Sequence, residues 1–161
     1  MTLEKYTRAN VITLPPTATV HIAARALEHC GVGAVLVHDG ATLVGILTDR
    51  DIAVRVAARG LDPKGTRVCD VMSRDVATLP ASASEGEAGR LMLDHCVRRI
   101  PLLEDVTPVG MVTLDDLIVD QGVSPSMCAA IIRCQLSESS RLADSGPWYR
   151  VLPMHLNPAS A

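Results

Sequence analysis

Two copies of a Thr-x-x-Asp motif place a hydroxyl and a carboxylate at the start of a predicted helix. Thr48 and Asp51 form the first copy, and Thr113 and Asp116 form the second. Each copy follows a short apolar run typical of a strand and precedes an apolar stretch with helical spacing. A Thr hydroxyl beside the free amides of a helix start suits a phosphate, and a carboxylate accepts hydrogen bonds from ligand hydroxyl groups. The same pair also forms a capping box, which explains the motif without any ligand.

The two motifs lie inside a longer internal repeat that keeps register without a gap. Residues 11–52 align with residues 76–117 at a constant offset of 65 positions (76 minus 11). The identical pairs include turn residues as well as apolar ones, among them Val11/Val76, Pro15/Pro80, Val44/Val109 and Gly45/Gly110. Chance similarity seldom preserves both over such a length, so the chain contains a tandem duplication.

Each repeat is predicted to fold as a β-α-β-β-α unit. In the first repeat, a strand at 11–14 precedes a helix capped by Thr19, a strand pair spans 33–47, and a second helix begins at Thr48. The second repeat has the same order, with Ser84 and Glu87 as a capping box. A unit of roughly 55–60 residues is marginal alone and should pack on its twin. The predicted fold class is therefore α/β, with two units related by a pseudo-twofold axis.

The predicted domain organisation has three parts. Residues 1–62 form the first repeat, residues 63–122 the second, and residues 123–161 a C-terminal extension. The extension opens with a helix that Ser124 caps, and it is expected to break from Ser137 onward into an irregular tail. That tail is either a loosely docked terminus or a strap across a partner subunit. The strap is suggested by large apolar residues that are costly to leave in water: Trp148, Tyr149, Leu152 and Met154.

Composition argues against several classes of function. A formal net charge of −3, a pI near 5.9 and the absence of Phe do not fit a general nucleic-acid binder. No apolar stretch approaches the ~18–20 residues that a membrane span needs. The chain has no recognisable catalytic motif and no local metal-ligand spacing, so we expect neither an enzyme nor a metal site. The five cysteines lack such spacing too and, without a signal peptide, are expected to be reduced thiols in the cytoplasm.

The paired units resemble a tandem pair of CBS domains, the modules named after cystathionine beta-synthase (a Bateman module). The resemblance covers roughly residues 5–122 and rests on the G-apolar-apolar-T-x-x-D junction of both repeats. Residues 97–102 are similar to the family's H/V-R-apolar-P-apolar strand, and Asp70-Val71-Met72 resembles the usual lead-in to a second unit. Residues 48–52, followed by 60–63, resemble short bacterial two-unit proteins of stress and dormancy responses.

The resemblance implies clefts that can hold an adenine nucleotide or adenosyl compound, such as AMP, ADP, ATP or S-adenosylmethionine. It assigns Thr48 and Asp51 to one cleft and Thr113 and Asp116 to the other, facing ribose and phosphates. Two further residues, Thr13 and Thr78, resemble positions that border the base. The alternative for each of them is an ordinary half-buried strand threonine.

Arg98 and Arg99 distinguish the second repeat, because the aligned residues of the first are Gly33 and Ala34. Strand alternation should send one arginine inward and the other outward. An inward arginine beside a cleft could pair with phosphates. The alternative is a surface arginine paired with Asp115 or Glu104.

The resemblance also implies a regulatory function without catalysis. The chain would be a homodimeric sensor that binds an adenine nucleotide and passes the signal to a separate effector protein. The alternative is a structural or interaction protein with vestigial clefts, in which residues 123–161 bind the partner.

Overall fold

The structure, a computed structural model, describes the backbone of residues 1–7 and 11–141 and the side chains as far as residue 136. The predicted strap residues lie outside the described residues. Among the described residues, no helix has the length and apolar character required to cross a bilayer.

Two three-stranded sheets form the framework, one in each repeat. In each sheet the first strand pairs in parallel with the second, and the second pairs antiparallel with the third. The strands in chain order are β1 (Thr13–Leu14), β2 (Ala34–Asp39), β3 (Thr42–Thr48), β4 (Leu79–Pro80), β5 (Arg99–Glu104) and β6 (Thr107–Thr113). The predicted α/β fold of tandem β-α-β-β-α units is confirmed.

Helices connect and cover these strands. In chain order they are α1 (Val20–Cys30), α2 (Asp49–Asp51), α3 (Val68–Val71), α4 (Glu85–Asp94), α5 (Leu114–Val119) and α6 (Pro125–Arg141). A short 3-10 helix, Leu3–Tyr6, precedes them. After α2 the chain continues as a π-helix at Ile52–Val56 and then as a 3-10 helix at Ala57–Arg59. The capping predictions are confirmed: the Thr19 hydroxyl accepts from the Ile22 amide, and Ser84 forms a capping box with Glu87.

Each repeat is preceded by a short lead-in segment that packs in the core of the other repeat. The first lead-in is Leu3–Tyr6 and the second is α3, and the two align at the same offset of 65 positions, 68 minus 3. The Leu3 amide donates to the Ala83 carbonyl at 2.9 Å, and the Val68 amide donates to the aligned Ala18 carbonyl at 2.8 Å. Each repeat therefore completes the core of its twin, and the division at residues 62 and 63 stays a prediction based on chain order.

A buried carboxylate holds the first lead-in to the second repeat. Glu85 is only 4% exposed, and its Oε1 lies 2.7 Å from Lys5 Nζ. The same ammonium lies 2.8 Å from Asp120 Oδ2, which also accepts a hydrogen bond of 2.8 Å from the Tyr6 hydroxyl. These contacts with Lys5 hold the pKa values of both carboxyl groups below their usual range. Buried Glu85 is therefore stabilised as a charged group.

Apart from Tyr6, the buried side chains of the two cores are aliphatic or methionine, and α6 joins the second core through fully buried Ile131. The predicted start of α6 is confirmed, because the Ser124 hydroxyl accepts from the Met127 amide at 3.2 Å. The predicted break at Ser137 is wrong for residues 137–141, which continue the helix. Once the first half of a helix is anchored by packing, each further residue adds a backbone hydrogen bond at little cost.

Candidate ligand-binding cleft

A cavity of about 670 Å³ is lined by residues of both repeats. The first repeat contributes the start of α2 and Arg55, and the second contributes residues 75–77 and 96–99. Gln135 of α6 completes the lining. The volume lies within the range of sites that hold small ligands.

The predicted pair Thr48 and Asp51 lies in this cavity as a closed capping box. Asp51 Oδ2 accepts from the Thr48 amide at 2.9 Å and from its hydroxyl at 2.7 Å, while the Asp51 amide donates back at 3.1 Å. The other carboxylate oxygen, Oδ1, lies 3.1 Å from Arg55 Nη2. The capping interpretation is therefore confirmed for this motif, and the ligand role of the pair stays a prediction.

The second motif repeats the cap with different surroundings. Asp116 Oδ2 accepts from the Thr113 amide at 2.8 Å and from its hydroxyl at 2.6 Å. Asp120 occupies the position aligned with Arg55 (120 minus 55 is 65). Neither Thr113 nor Asp116 lines the cavity of Thr48 and Asp51.

Arg55 is a functional candidate that the sequence reasoning missed. Its Nη1 donates to the Val71 carbonyl at 2.7 Å and its Nη2 to the Ser73 hydroxyl at 3.0 Å. It thus joins the Asp51 carboxylate to the second lead-in. The alignment of the two repeats held a signal, because the basic residue Arg55 of the first repeat aligns with the acidic residue Asp120 of the second.

Arg98 and Arg99 both line the cavity, but they differ in exposure. Arg99 is half-buried and Arg98 is exposed, as expected if one arginine points inward and the other outward. A methyl group added at Gly33 would lie 2.5 Å from Nη2 of Arg99, so this guanidinium covers the backbone of the first repeat. Among the described residues, no ion pair joins either arginine to Asp115 or Glu104. The cavity position, rather than the predicted surface pairing, is what the structure shows.

Thr13 and Thr78 lie apart from these residues. Exposed Thr13 lines a second cavity of about 610 Å³, together with His29, Cys30 and Pro108. Thr78 is half-buried just before β4 and lines neither of these two cavities, although Val76 and Ala77 beside it line the first. Of the eight predicted site residues, the first cavity thus brings together Thr48, Asp51, Arg98 and Arg99.

The expectation of reduced thiols is wrong for two of the cysteines. Cys96, which lines the first cavity, forms a disulfide with Cys134 of α6, and their Cα atoms are 5.5 Å apart. The sequence reasoning missed the pair because 38 positions separate the two residues and no local spacing joins them. Cys30, Cys69 and Cys128 are free thiols. Within the described part of the chain, no group of three or more His, Cys, Asp or Glu side chains could hold a metal ion.

Comparison with known proteins identifies the repeats. The family model of the CBS domain matches the chain twice, at residues 3–58 and 68–120. The CBS domain-containing protein YhcV of Bacillus subtilis is 38% identical over 121 residues, which cover 75% of this chain and 86% of the relative.

Two solved structures share the fold. A CBS-domain protein of Burkholderia ambifaria, proposed to act in signal transduction, superposes with a TM-score of 0.68 at 29% identity, covering 78% of this chain and 99% of its own. Hypoxic response protein I, solved with two coordinated zinc ions, superposes with a TM-score of 0.67 at 30% identity, covering 77% and 100%.

Proposed function

This chain belongs to the CBS domain family, and we propose that it is a non-enzymatic regulatory module that binds an adenine nucleotide or adenosyl compound. The observation that carries the proposal is the first cavity. It combines the helix start at Thr48 and Asp51 with two arginines, Arg98 and Arg99, from the other repeat. A ligand that contacts both sides would respond to a shift between the repeats, which is the requirement for a sensor.

The polar groups of the cavity fit the parts of a nucleotide. The guanidinium groups of Arg98 and Arg99 would bind phosphate oxygens, which match their donors in geometry and charge. Asp51 would bind a ribose hydroxyl without opening its cap. A carboxylate has about four acceptor sites, and Oδ1 of Asp51 contacts only Arg55 among the described residues.

Charge favours this cavity as the site of an anionic ligand over the pseudo-equivalent position, which is the corresponding site beside Thr113 and Asp116. Four arginines line the cavity, Arg50, Arg55, Arg98 and Arg99, beside three carboxylates, Asp49, Asp51 and Asp75. The residues aligned with the four arginines at the offset of 65 are Asp115, Asp120, Gly33 and Ala34. The pseudo-equivalent position therefore has carboxylates or no charge where the cavity has cations, so we propose one nucleotide per chain.

A thermal-shift panel tests this function directly. Purified protein would be melted with AMP, ADP, ATP, S-adenosylmethionine and NAD, with GTP as the control, and hits would be titrated by calorimetry for stoichiometry. A ligand at about 100 times its dissociation constant should add about 2.7 kcal/mol, which raises the melting temperature by a few degrees. No shift with any adenine compound would overturn the proposal.

The alternative function is a structural or interaction module whose clefts stay unoccupied. The observation that favours it is that both Thr-x-x-Asp motifs form closed capping boxes, which accounts for the motif without a ligand. In that case residues 123–161 would bind the partner protein, and the thermal-shift panel would stay flat.

We extend the proposal to a homodimer that signals to a separate effector protein. Val54 and Val119 occupy aligned positions on the second helical segments of the two repeats and are 47% and 79% exposed. Apolar residues exposed at matching places suit a symmetric contact with a second copy. The similarity to hypoxic response protein I supports a role in a stress response as a hypothesis.

A further inference from the structure

Helix α6 lies beyond the two matched repeats but packs as part of the second. The repeat match ends at residue 120, whereas α6 spans Pro125–Arg141. Its Ile131 is fully buried, and a methyl group added at Gly89 of α4 would lie 2.6 Å from Met127 Sδ. The first half of α6 is therefore anchored by close apolar packing.

Farther along α6, two contacts connect the helix to Cys96. Cys134 forms the disulfide with it, and Gln135 Nε2 donates to the Cys96 carbonyl at 3.0 Å. Arg133 and Leu136, which flank this pair, are exposed. The covalent bond thus joins α6 at the point where buried apolar packing gives way to solvent.

Both contacts form part of the cavity wall. Cys96 and Gln135 line the first cavity, and Arg98 lies two positions after Cys96. Cys96 has φ 51°, in the left-handed region, where the aligned residue of the first repeat is Gly31 with φ 63°. A side chain is uncommon at such a position, and Asp105 and Gln121 are the other described non-glycine residues with positive φ. Here the side chain makes the bond to α6.

We propose that the Cys96–Cys134 disulfide is a redox-controlled tether, which holds the second half of α6 against the cavity and releases it on reduction. A dithiol reductant would supply two electrons and two protons. The sulfur–sulfur bond of the protein would become two thiols, and the two thiols of the reductant would become a disulfide.

The reduced state is accommodated locally. The Leu93 carbonyl oxygen lies 3.8 Å from both sulfur atoms and offers each thiol an acceptor. Ile131 is fully buried by packing that does not involve the disulfide, so we expect the first half of α6 to keep its anchor on reduction. Reduction is therefore expected to loosen residues 132–141 without unfolding the repeats.

The first test counts the cysteines that the bond protects. Protein purified under air would be unfolded without reductant and alkylated, and the number of modified cysteines would be measured by mass spectrometry. We expect three modified cysteines, which would be the free residues Cys30, Cys69 and Cys128, and five after reduction. Modification of all five without reductant would overturn the proposal.

The second test compares amide hydrogen exchange of the full chain in the oxidised and reduced states. We expect exchange of residues 132–136 to become about tenfold faster or more on reduction, because a cross-link that restricts opening is removed. Residues 34–39 of β2 should not change. Equal exchange of residues 132–136 in both states would overturn the proposal.

A matched pair of variants separates the tether from general effects of a cysteine substitution. Cys134→Ser should show the fast exchange with or without reductant. Cys128→Ser, also on α6 but outside the disulfide, should keep the wild-type response. An unaltered response in Cys134→Ser would contradict the assignment. Neither experiment uses a nucleotide, so failure of the tether and failure of the proposed ligand function are distinguishable.

Discussion

At the scale of single residues, Asp51 and Asp116 make the same cap but differ in what surrounds it. Asp51 lies in the first cavity beside Arg55, whereas Asp116 does not line that cavity and has Asp120 one turn later. The motif could be read from the sequence because a capping box depends only on residues three positions apart. The difference in surroundings could be read only in part. Arg55 and Asp120 each lie four positions after the aspartate, whereas the cavity depends on residues of the other repeat.

This difference predicts distinct effects for two equivalent substitutions. Asp51→Ala and Asp116→Ala should each lower the free energy of unfolding by about 0.5–2 kcal/mol, the cost of a lost cap. Only Asp51→Ala should also weaken binding of the nucleotide found in the thermal-shift panel, by about tenfold or more, since it removes a charged acceptor. Denaturant unfolding and calorimetric titration measure the two effects. Wild-type affinity in Asp51→Ala would remove this residue from the site.

At the scale of elements, the exchange of lead-in segments is the main feature that chain order conceals. Extended toward the N-terminus, the repeat register pairs residues 3–6 with residues 68–71, but it does not say which sheet each segment covers. Packing decides this. Gly110 of β6 lies directly under the first lead-in, and a methyl group added there would be 2.5 Å from the Tyr6 carbonyl oxygen and 2.8 Å from the Thr7 Cα.

Gly110→Ala should therefore destabilise the protein by displacing the lead-in. The contacts are with backbone atoms, which cannot rotate away, so we expect a loss of about 1–3 kcal/mol in the free energy of unfolding. Gly86→Ala is the control, because a methyl group there would make only ordinary contacts, 3.9 Å from Arg90 Nη1 and 4.0 Å from Ser84 Oγ. It lies in α4, where exchanging Gly for Ala should stabilise by about 0.5–1 kcal/mol. Equal stability of both variants in denaturant unfolding would refute the close approach of the lead-in.

At the scale of the whole molecule, the proposed homodimer depends on apolar surface that a single chain leaves in water. Two neighbouring apolar residues of α5 are exposed: Val119 to 79% and Ile118 to 45%. Burial of such residues against a second copy would remove apolar area from water and so favour association.

Val119→Lys should accordingly weaken self-association by about tenfold or more, because it places a charge at the contact. Sedimentation velocity over a concentration series would measure the change. Val106→Lys is the matched control: Val106 is 54% exposed, but it lies in the turn between β5 and β6 and not on a helix. A protein that sediments as a monomer at every concentration would remove the dimer from the proposal.

The sequence by itself determined the tandem repeat, the order of strands and helices, the helix caps and the Thr-x-x-Asp motifs. All of these follow from patterns within a few residues or from a constant register between two halves. Only the tertiary structure decided which lead-in completes which core, that Arg55, Arg98 and Arg99 share a cavity with Asp51, and that Cys96 is bonded to Cys134. Apart from Arg55, which lies four positions after Asp51, these relations join residues that are distant in the chain. Their proximity arises from packing each marginal unit on its twin, which local sequence patterns do not encode.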